Sequence, residues 1–231
     1  MIPQLGHDPA ADFPDPSSAM ESPDGLLAWG GDLDPIRLVN AYHRGIFPWF
    51  SDDQPVLWWS PSSRCVLFPG DIHISRRLQR VIGQAKFRLS ADRAFEQVIR
   101  GCALPRETQD STWITKAMIS AYCRLHKMGI AHSVEVWHGE NLAGGIYGLS
   151  IGKVFFGESM FSRERDASKV ALAGLCETLK AHDFAMLDCQ ITNPHLVSMG
   201  AVGIPRESFL SILSANVDLP VEADVFRMAF V

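Results

Sequence analysis

Ser133-Val134-Glu135-Val136-Trp137, His138-Gly139-Glu140-Asn141, Leu142-Ala143-Gly144-Gly145-Ile146-Tyr147-Gly148-Leu149, Ser150-Ile151-Gly152 and Lys153-Val154-Phe155-Phe156 follow one another without a break. The first piece alternates polar and apolar side chains with the period of two that a half-buried strand requires. Two pieces carry turn chemistry, and the strands they join have only one short way to pair, which is antiparallel. The stretch therefore predicts a meander of three strands.

Outward from this meander the period changes to that of helices. Thr115 to Met128 places Met118, Tyr122 and Leu125 on one side, with Gly129 as the stop signal. Residues 73 to 82 and 90 to 102 also read as helices, the second capped by Ser90 with Phe95, Val98, Ile99 and Cys102 inward. Downstream, residues 167 to 181 can be capped by Asp166 and show a stripe of Leu172, Leu175, Cys176 and Leu179. Phe184 to Ile191 reads as a strand with Leu187, Cys189 and Ile191 on one face and Met186, Asp188 and Gln190 on the other. Pro205 to Leu213 forms a last short helix. Strands and helices in this order describe an α+β domain with a mixed, largely antiparallel sheet.

The N-terminal part has another character. Residues 1 to about 24 are rich in Pro, Asp and Ser and read as an extended, surface-lying leader. Asp34 then caps a helix with Pro35 at its first position, Leu38 and Tyr42 on its inner face, and Gly45 ending it. An aromatic cluster without helical period follows: Phe47, Trp49, Phe50, Trp58 and Trp59. A boundary near residue 62 divides the chain into a small domain, 1–62, and a larger one, 63–231.

With 231 residues, 47% of them hydrophobic and 20% charged, the chain can bury a core and is not disordered. The net charge of −5 excludes a protein coated in basic residues, though not a local basic patch. Five scattered cysteines with no Cys-x-x-Cys pair imply reduced thiols and neither a disulfide framework nor a zinc site. The first residues carry no basic segment leading into an apolar one, and no run approaches the ~18 apolar residues of a membrane span. A soluble, cytoplasmic protein is expected.

Two polar clusters interrupt the most apolar stretches. Glu158 follows the Val154–Phe156 strand, and Asp188 and Gln190 lie two apart on one face of the late strand, roughly 6–7 Å along the backbone. A carboxylate there loses hydration and is seldom retained for packing alone. Two readings of Asp188 stand level: a reacting site, or a structural ion pair with Arg163 or Arg165. Gln190 cannot act as a base, because an amide takes up no proton near neutral pH, but its carbonyl accepts a hydrogen bond. Asp with Gln suits the orientation of an amine or hydroxyl toward an already activated acyl group.

Other motifs carry less. Cys189 with His195 suggests a thiol nucleophile, but strand alternation turns Cys189 into the apolar face, where a cysteine is inert packing. The histidines show no metal-ligand spacing. Gly144-Gly145 sits inside the meander and not between a strand and a helix, so it marks close backbone approach and not a phosphate loop. Arg76, Arg77 and Arg80 share a helix face that can grip phosphates, although a solvated face is the usual reading of such a run. Leu172, Leu175 and Leu179, covered by Ile146, Met160 and Leu187, describe either ordinary core or a pocket for a medium apolar side chain beside the polar pair.

Taken in order, several segments together are highly specific. They are Gly25–Leu33, Tyr42–Phe50, Leu57–Pro61, His73–Arg76, Thr112–Thr115, His132–Trp137, Gly157–Arg163, Ala167–Lys169 and Asp188–Gln190. In these the chain resembles the bacterial leucyl/phenylalanyl-tRNA–protein transferases. The resemblance implies transfer of Leu or Phe, Met less well, from aminoacyl-tRNA to the N-terminal amine of a protein beginning with Arg or Lys, which marks that protein for degradation. It implies no cofactor, neither ATP nor metal, since the tRNA ester supplies the activation. It places Asp188 and Gln190 as the catalytic pair and Glu158 as an active-site glutamate. A pocket of Ile146, Phe155, Met160, Leu172, Leu175, Leu179 and Leu187 is implied too. Trp49 and Trp113 would hold the aminoacyl-adenosine end, and Arg76, Arg77 and Arg80 the acceptor stem. A GNAT-like fold for the larger domain and a monomer working away from membranes complete the expectation. Two rivals remain. An acetyl-CoA-dependent N-acyltransferase is opposed by the turn Phe161–Ala167, which lacks a glycine. A non-catalytic adaptor for basic N-termini is the other.

Overall fold

The computed structural model describes residues 2–104 and 113–226, and its strands form two sheets. The smaller sheet has four strands in the order β1-β2-β4-β3: β1 Gln4–Leu5, β2 Leu26–Gly30, β3 Phe47–Pro48 and β4 Leu57–Trp59. Helix α1, Pro35–His43, precedes β3; the Asp34 carboxylate accepts from the Ile36 N–H at 2.9 Å, the cap that the sequence suggested. The leader is not merely draped on the surface. β1 pairs in parallel with β2, Leu5 and Phe13 are buried, and the Phe13 ring meets Trp58 edge-on at 4.9 Å. Buried Arg37 of α1 fastens it further by donating to the carbonyls of Gly6 and Asp8, each at 2.9 Å.

The larger sheet has seven strands in the order β11-β5-β10-β9-β8-β7-β6. The expected meander is β7 Ala131–His138, β8 Asn141–Ile151 and β9 Val154–Ser162. All neighbours pair antiparallel except β9 and β10, Met186–Gln190, which run parallel. The sheet is mixed and largely antiparallel, as expected. Strands β5, Ser63–Leu67, and β11, Val202–Pro205, and the short helix α6, Pro194–Ser198, were not anticipated. β5 is buried on both faces and so shows no alternation to read.

The expected helix over 90 to 102 is two elements. Arg88–Ala91 is strand β6, paired with β7, and helix α3 covers Phe95–Cys102. Ser90 is no helix cap: its hydroxyl reaches the buried Glu135 carboxylate. Glu135 itself accepts from the Ala94 N–H at the start of α3. Helices α2, Arg76–Gly83, and α4, Lys116–Lys127, carry the caps Ser75 and Thr115. Thr112 of the sequence motif lies outside the described residues.

Helix α5, Ala167–Ala181, is placed as expected, but Asp166 does not cap it through its side chain. That carboxylate takes Arg77 at 2.7 Å, and the Ser162 hydroxyl accepts from the Ser168 N–H instead. Helix α7 runs over Arg206–Asn216.

Buried side chains lie on both faces of the large sheet. Tyr147, Leu149, Phe156 and Met186 pack with α1, α3, α4 and α7, in a cluster continuous with Trp58 of the small sheet. Val134, Ile146, Phe155 and Leu187 pack with α5 and Leu78 of α2. Full burial of side chains this size stabilises by roughly 1.5–3 kcal/mol each.

Candidate active site

The site opens where the parallel strands part. β9 and β10 pair from Met186–Val154 to Asp188–Phe156, and beyond that register both chains continue as opposite walls of a recess. One wall is Gly157 to Arg163 and the other Cys189 to Leu196, with a volume near 1260 Å³ between them. Two bulges aim the polar groups.

In β9 the register with β8 shifts between Tyr147–Ser159 and Gly148–Gly157, leaving Glu158 as the extra residue. Glu158 is therefore not beyond a strand end, as the sequence suggested, but on a strand that continues to Ser162. The close approach needs Gly148: a Cβ there would lie 2.1 Å from the Phe156 carbonyl oxygen. In β10 the register with β5 shifts between Asp188–Val66 and Gln190–Cys65, leaving Cys189 extra.

Gln190 takes a left-handed backbone, φ 56°. Its main-chain N–H donates to Asp188 Oδ1 at 2.9 Å, and its side-chain Nε2 to the Asp188 carbonyl at 3.1 Å. Simple alternation no longer applies: Gln190 lines the recess, while Asp188 lies fully buried beneath it. Asp188 is a member of an ion pair, but not with Arg163 or Arg165. Arg64 of β5 donates Nε to Oδ1 at 2.8 Å and an NH2 hydrogen to Oδ2 at 2.7 Å. The guanidinium is itself clamped by the Gly45 carbonyl at 3.1 Å and by the rings of Phe47 and Phe209, 4.6 and 4.5 Å away. Such a bidentate pair is geometrically specific.

Glu158 lines the recess, and its carboxylate is enclosed by tyrosines. The Tyr42 hydroxyl of α1 is 2.7 Å from Oε1, the Tyr122 hydroxyl of α4 is 2.9 Å from Oε2, and the two hydroxyls touch each other. Loss of hydration pushes the acid up to about 7, against the opposing pull of the tyrosine hydrogen bonds. Between pH 4.5 and 7 the folded chain therefore holds a proton that the unfolded chain has lost. Stability falls as pH rises through that window, by about 3 kcal/mol in total, and levels off above it. Glu158→Gln is expected to remove this slope, as urea unfolding at pH 5 and pH 8 would show. A slope equal to that of the wild type would contradict the assignment.

Trp49, Trp113, Ile146, Met160, Leu172 and Leu187 all line the recess. Phe155, Leu175 and Leu179 do not: they are buried in the core against the sheet. Trp58 is wholly buried too, its indole N–H on the Gly30 carbonyl at 3.0 Å, whereas Trp49 is 41% exposed. Arg76, Arg77 and Arg80 are exposed on α2, with Arg77 held by Asp166. Cys189 is half-buried on the recess wall and not wholly in the apolar face. Its thiol is pushed well above the ordinary range by a hydrogen bond with Cys65 and by burial, which makes it a poor nucleophile.

Among the described residues no group of three or more His, Cys, Asp or Glu is disposed to hold a metal, and no helix is long and apolar enough to cross a membrane. Sequence reasoning missed Arg64, Tyr42 and Tyr122 as parts of the site. A cation directly before the apolar run Cys65-Val66-Leu67 was the available signal for the first, since a buried Asp188 demands one.

A mixed sheet whose one parallel pair splays into a largely apolar recess, lined by a carboxamide and an acid, is an architecture that can hold an apolar group beside polar ones. The chain belongs to the leucyl/phenylalanyl-tRNA protein transferase family. Its family model matches residues 66–214 and the model of the family's N-terminal domain residues 31–62. The leucyl/phenylalanyl-tRNA–protein transferase of Pseudomonas syringae pv. syringae is 53% identical over 92% of this chain and 93% of its own. That of Chromobacterium violaceum is 51% identical over 95% and 94%. Among solved structures, a GCN5-related N-acetyltransferase from Kribbella flavida overlaps 71% of the chain and 58% of its own at TM-score 0.38 and 11% identity, too loosely to bear on mechanism.

Proposed function

We propose that this protein transfers Leu or Phe, and Met less well, from aminoacyl-tRNA to the N-terminal amine of proteins beginning with Arg or Lys, marking them for degradation. The observation that carries the reading is Gln190, locked by Asp188 in a left-handed turn so that its amide meets an apolar recess. The amine nitrogen attacks the ester carbonyl carbon, an amide bond forms, and the ester C–O bond breaks to leave the ribose hydroxyl of the tRNA. An α-amine with pKa near ~7.7–8 has a useful neutral fraction at cellular pH, so positioning outweighs proton abstraction.

In this reading Gln190 accepts a hydrogen bond from the incoming amine. Asp188 fixes Gln190, since Arg64 already occupies its carboxylate oxygens. Glu158 meets the basic side chain of the acceptor. Ile146, Met160, Leu172 and Leu187 receive the aminoacyl side chain, and Trp49 and Trp113 the adenosine. Arg76, Arg77 and Arg80 face the acceptor-stem phosphates. We place the division between the small N-terminal domain, 1–62, and the catalytic domain, 63–231, at the change from one sheet to the other, and take the working form as a cytoplasmic monomer.

The deciding experiment is label transfer from charged Leu-, Phe- and Met-tRNA to peptides beginning with Arg, Lys or Ala. Transfer to the Arg and Lys peptides, abolished by RNase, is expected. Transfer from labelled acetyl-CoA instead would overturn the reading, and peptide binding with no transfer at all would favour an adaptor. Arg76→Ala with Arg80→Ala is expected to weaken tRNA binding and to flatten its log–log salt dependence by roughly 1.5, about 0.7–0.9 per lost phosphate contact. An unaltered slope would leave that helix face merely solvated.

A further inference from the structure

The chain has three tyrosines, Tyr42, Tyr122 and Tyr147, and all three are fully buried around Glu158. Tyr42 comes from α1, Tyr122 from α4 and Tyr147 from β8, three separate elements. Among the described residues Glu158 is also the single carboxylate that lines the recess. Asp188, an acid whose charge is felt by Glu158, has both oxygens occupied by Arg64. A cation entering the recess therefore has, among the described residues, one carboxyl group to meet.

The hydrogens around Glu158 can be counted. Tyr42 touches Tyr122, Tyr42 touches Oε1, and Tyr122 touches Oε2, so three oxygen–oxygen contacts close a ring through the carboxyl group. Each contact needs one hydrogen. Both phenols keep theirs, because burial makes them far weaker acids than a free tyrosine. With an ionised carboxylate the ring has only two hydrogens for three contacts. Both would point at the carboxylate, leaving the two hydroxyl oxygens lone pair to lone pair. One more proton, on the carboxyl group, completes the set: the acid donates to one hydroxyl, that hydroxyl to the next, and the second back to the other carboxyl oxygen. A fully satisfied buried ring is the stable arrangement, and a half-satisfied one is costly.

We infer that Glu158 rests as a neutral acid closed into a ring with Tyr42 and Tyr122, and that it recognises the acceptor's Arg or Lys side chain by giving up its proton to water. Acceptor binding and proton release are then a single event, an inference that rests on the function proposed above. The balance is simple: a neutral acid and a cation become a carboxylate–cation pair and one released proton. Neutrality in the empty recess also explains how an acid shares it with an apolar aminoacyl side chain, since an unpaired charge there would carry a large desolvation cost. The groups facing Glu158 oppose one another in setting its balance: Asp188 of β10 and the enclosing burial favour the neutral form, while Arg64 of β5 and each phenol hydrogen bond taken singly favour the charged one; only the closed ring of both phenols turns them to the neutral side. Below about pH 7 the affinity for an Arg-initiated peptide should drop by up to tenfold per pH unit beyond the change seen with an Ala-initiated peptide, which carries the same α-amine.

Infrared difference spectra of the intact chain, wild type minus Glu158→Gln at pH 6, test this. A protonated-carboxyl band is expected in the free protein. It should vanish with an Arg-initiated peptide at a concentration that saturates transfer, and persist with the Ala-initiated one. No acid band in the free protein, or a band that survives the Arg peptide, overturns the inference. Should Glu158→Gln fail to fold, Tyr42→Phe and Tyr122→Phe each remove one hydroxyl and are compared with wild type. The band should then titrate away at lower pH than in wild type, since one phenol satisfies its single contact without the acid's proton, and an unshifted or raised titration overturns the ring. Transfer from charged Leu-tRNA is assayed on the same wild-type preparation. Absence of transfer sinks the proposed function, whereas transfer without an acid band sinks only this inference.

Discussion

Arg64→Ala is expected to lower the unfolding free energy by about 3–5 kcal/mol, because it strands a buried carboxylate without its partner. Asp188 is fully buried, and this guanidinium is the cation that meets both of its oxygens, with the Gln190 N–H as a second donor to Oδ1. The Gly45 carbonyl would lose its donor as well, and Phe47 and Phe209 the flat cation between them. Arg64→Lys should be an intermediate case, since an ammonium cannot reproduce the two-pronged contact or stack on two rings. The double replacement Arg64→Met with Asp188→Leu is expected to recover most of the lost stability, because it removes both charges and not one. Chemical denaturation of the three variants at neutral pH measures this directly. A cost below about 1 kcal/mol for Arg64→Ala would mean that water reaches Asp188 and that the pair is not the buried clamp described.

Gln190→Gly is expected to reduce kcat by about 10²–10³-fold, the loss typical of removing one hydrogen-bonding group from a reacting centre. KM for Leu-tRNA should stay within roughly twofold, as expected for an interaction made only in the transition state. Glycine is the informative replacement because Gln190 sits at φ 56°, where glycine is at ease and alanine is strained. Gln190→Ala should lose the same turnover and, in addition, about 1 kcal/mol of stability. Steady-state kinetics with charged tRNA in excess, paired with urea unfolding, separates the two effects. If Gln190→Gly weakens tRNA binding as much as turnover, the residue is a substrate clamp and does not orient the amine.

The elements readable from sequence are those whose burial pattern is local. The meander shows its period of two, and α4 and α5 show one-sided apolar stripes that need no knowledge of their neighbours. The misreadings have equally local causes. Ser90 precedes an apolar helical stripe and resembles a cap, yet its hydroxyl serves Glu135, 45 positions away. β5 is buried on both sides and gives no alternation, so the strand that carries Arg64 went unseen. The pocket was overdrawn for a geometric reason. Leu172, Leu175 and Leu179 share a helix face, but only Leu172, near the start of α5, reaches the recess, while the others run on under the sheet.

Periodicity and composition alone settled the α+β class, the order of the main elements and the polar residues worth attention, because each of those depends on neighbours within a turn or a hairpin. Their chemical states were decided only when distant segments met: Arg64 with Asp188 across 124 positions, Tyr42 with Glu158 across 116 and Tyr42 with Tyr122 across 80. A one-dimensional pattern records which side chains are apolar or charged, whereas desolvation and hydrogen-bond partners arise from three-dimensional packing. These turned one acid into a locked ion pair and lifted the other toward neutrality.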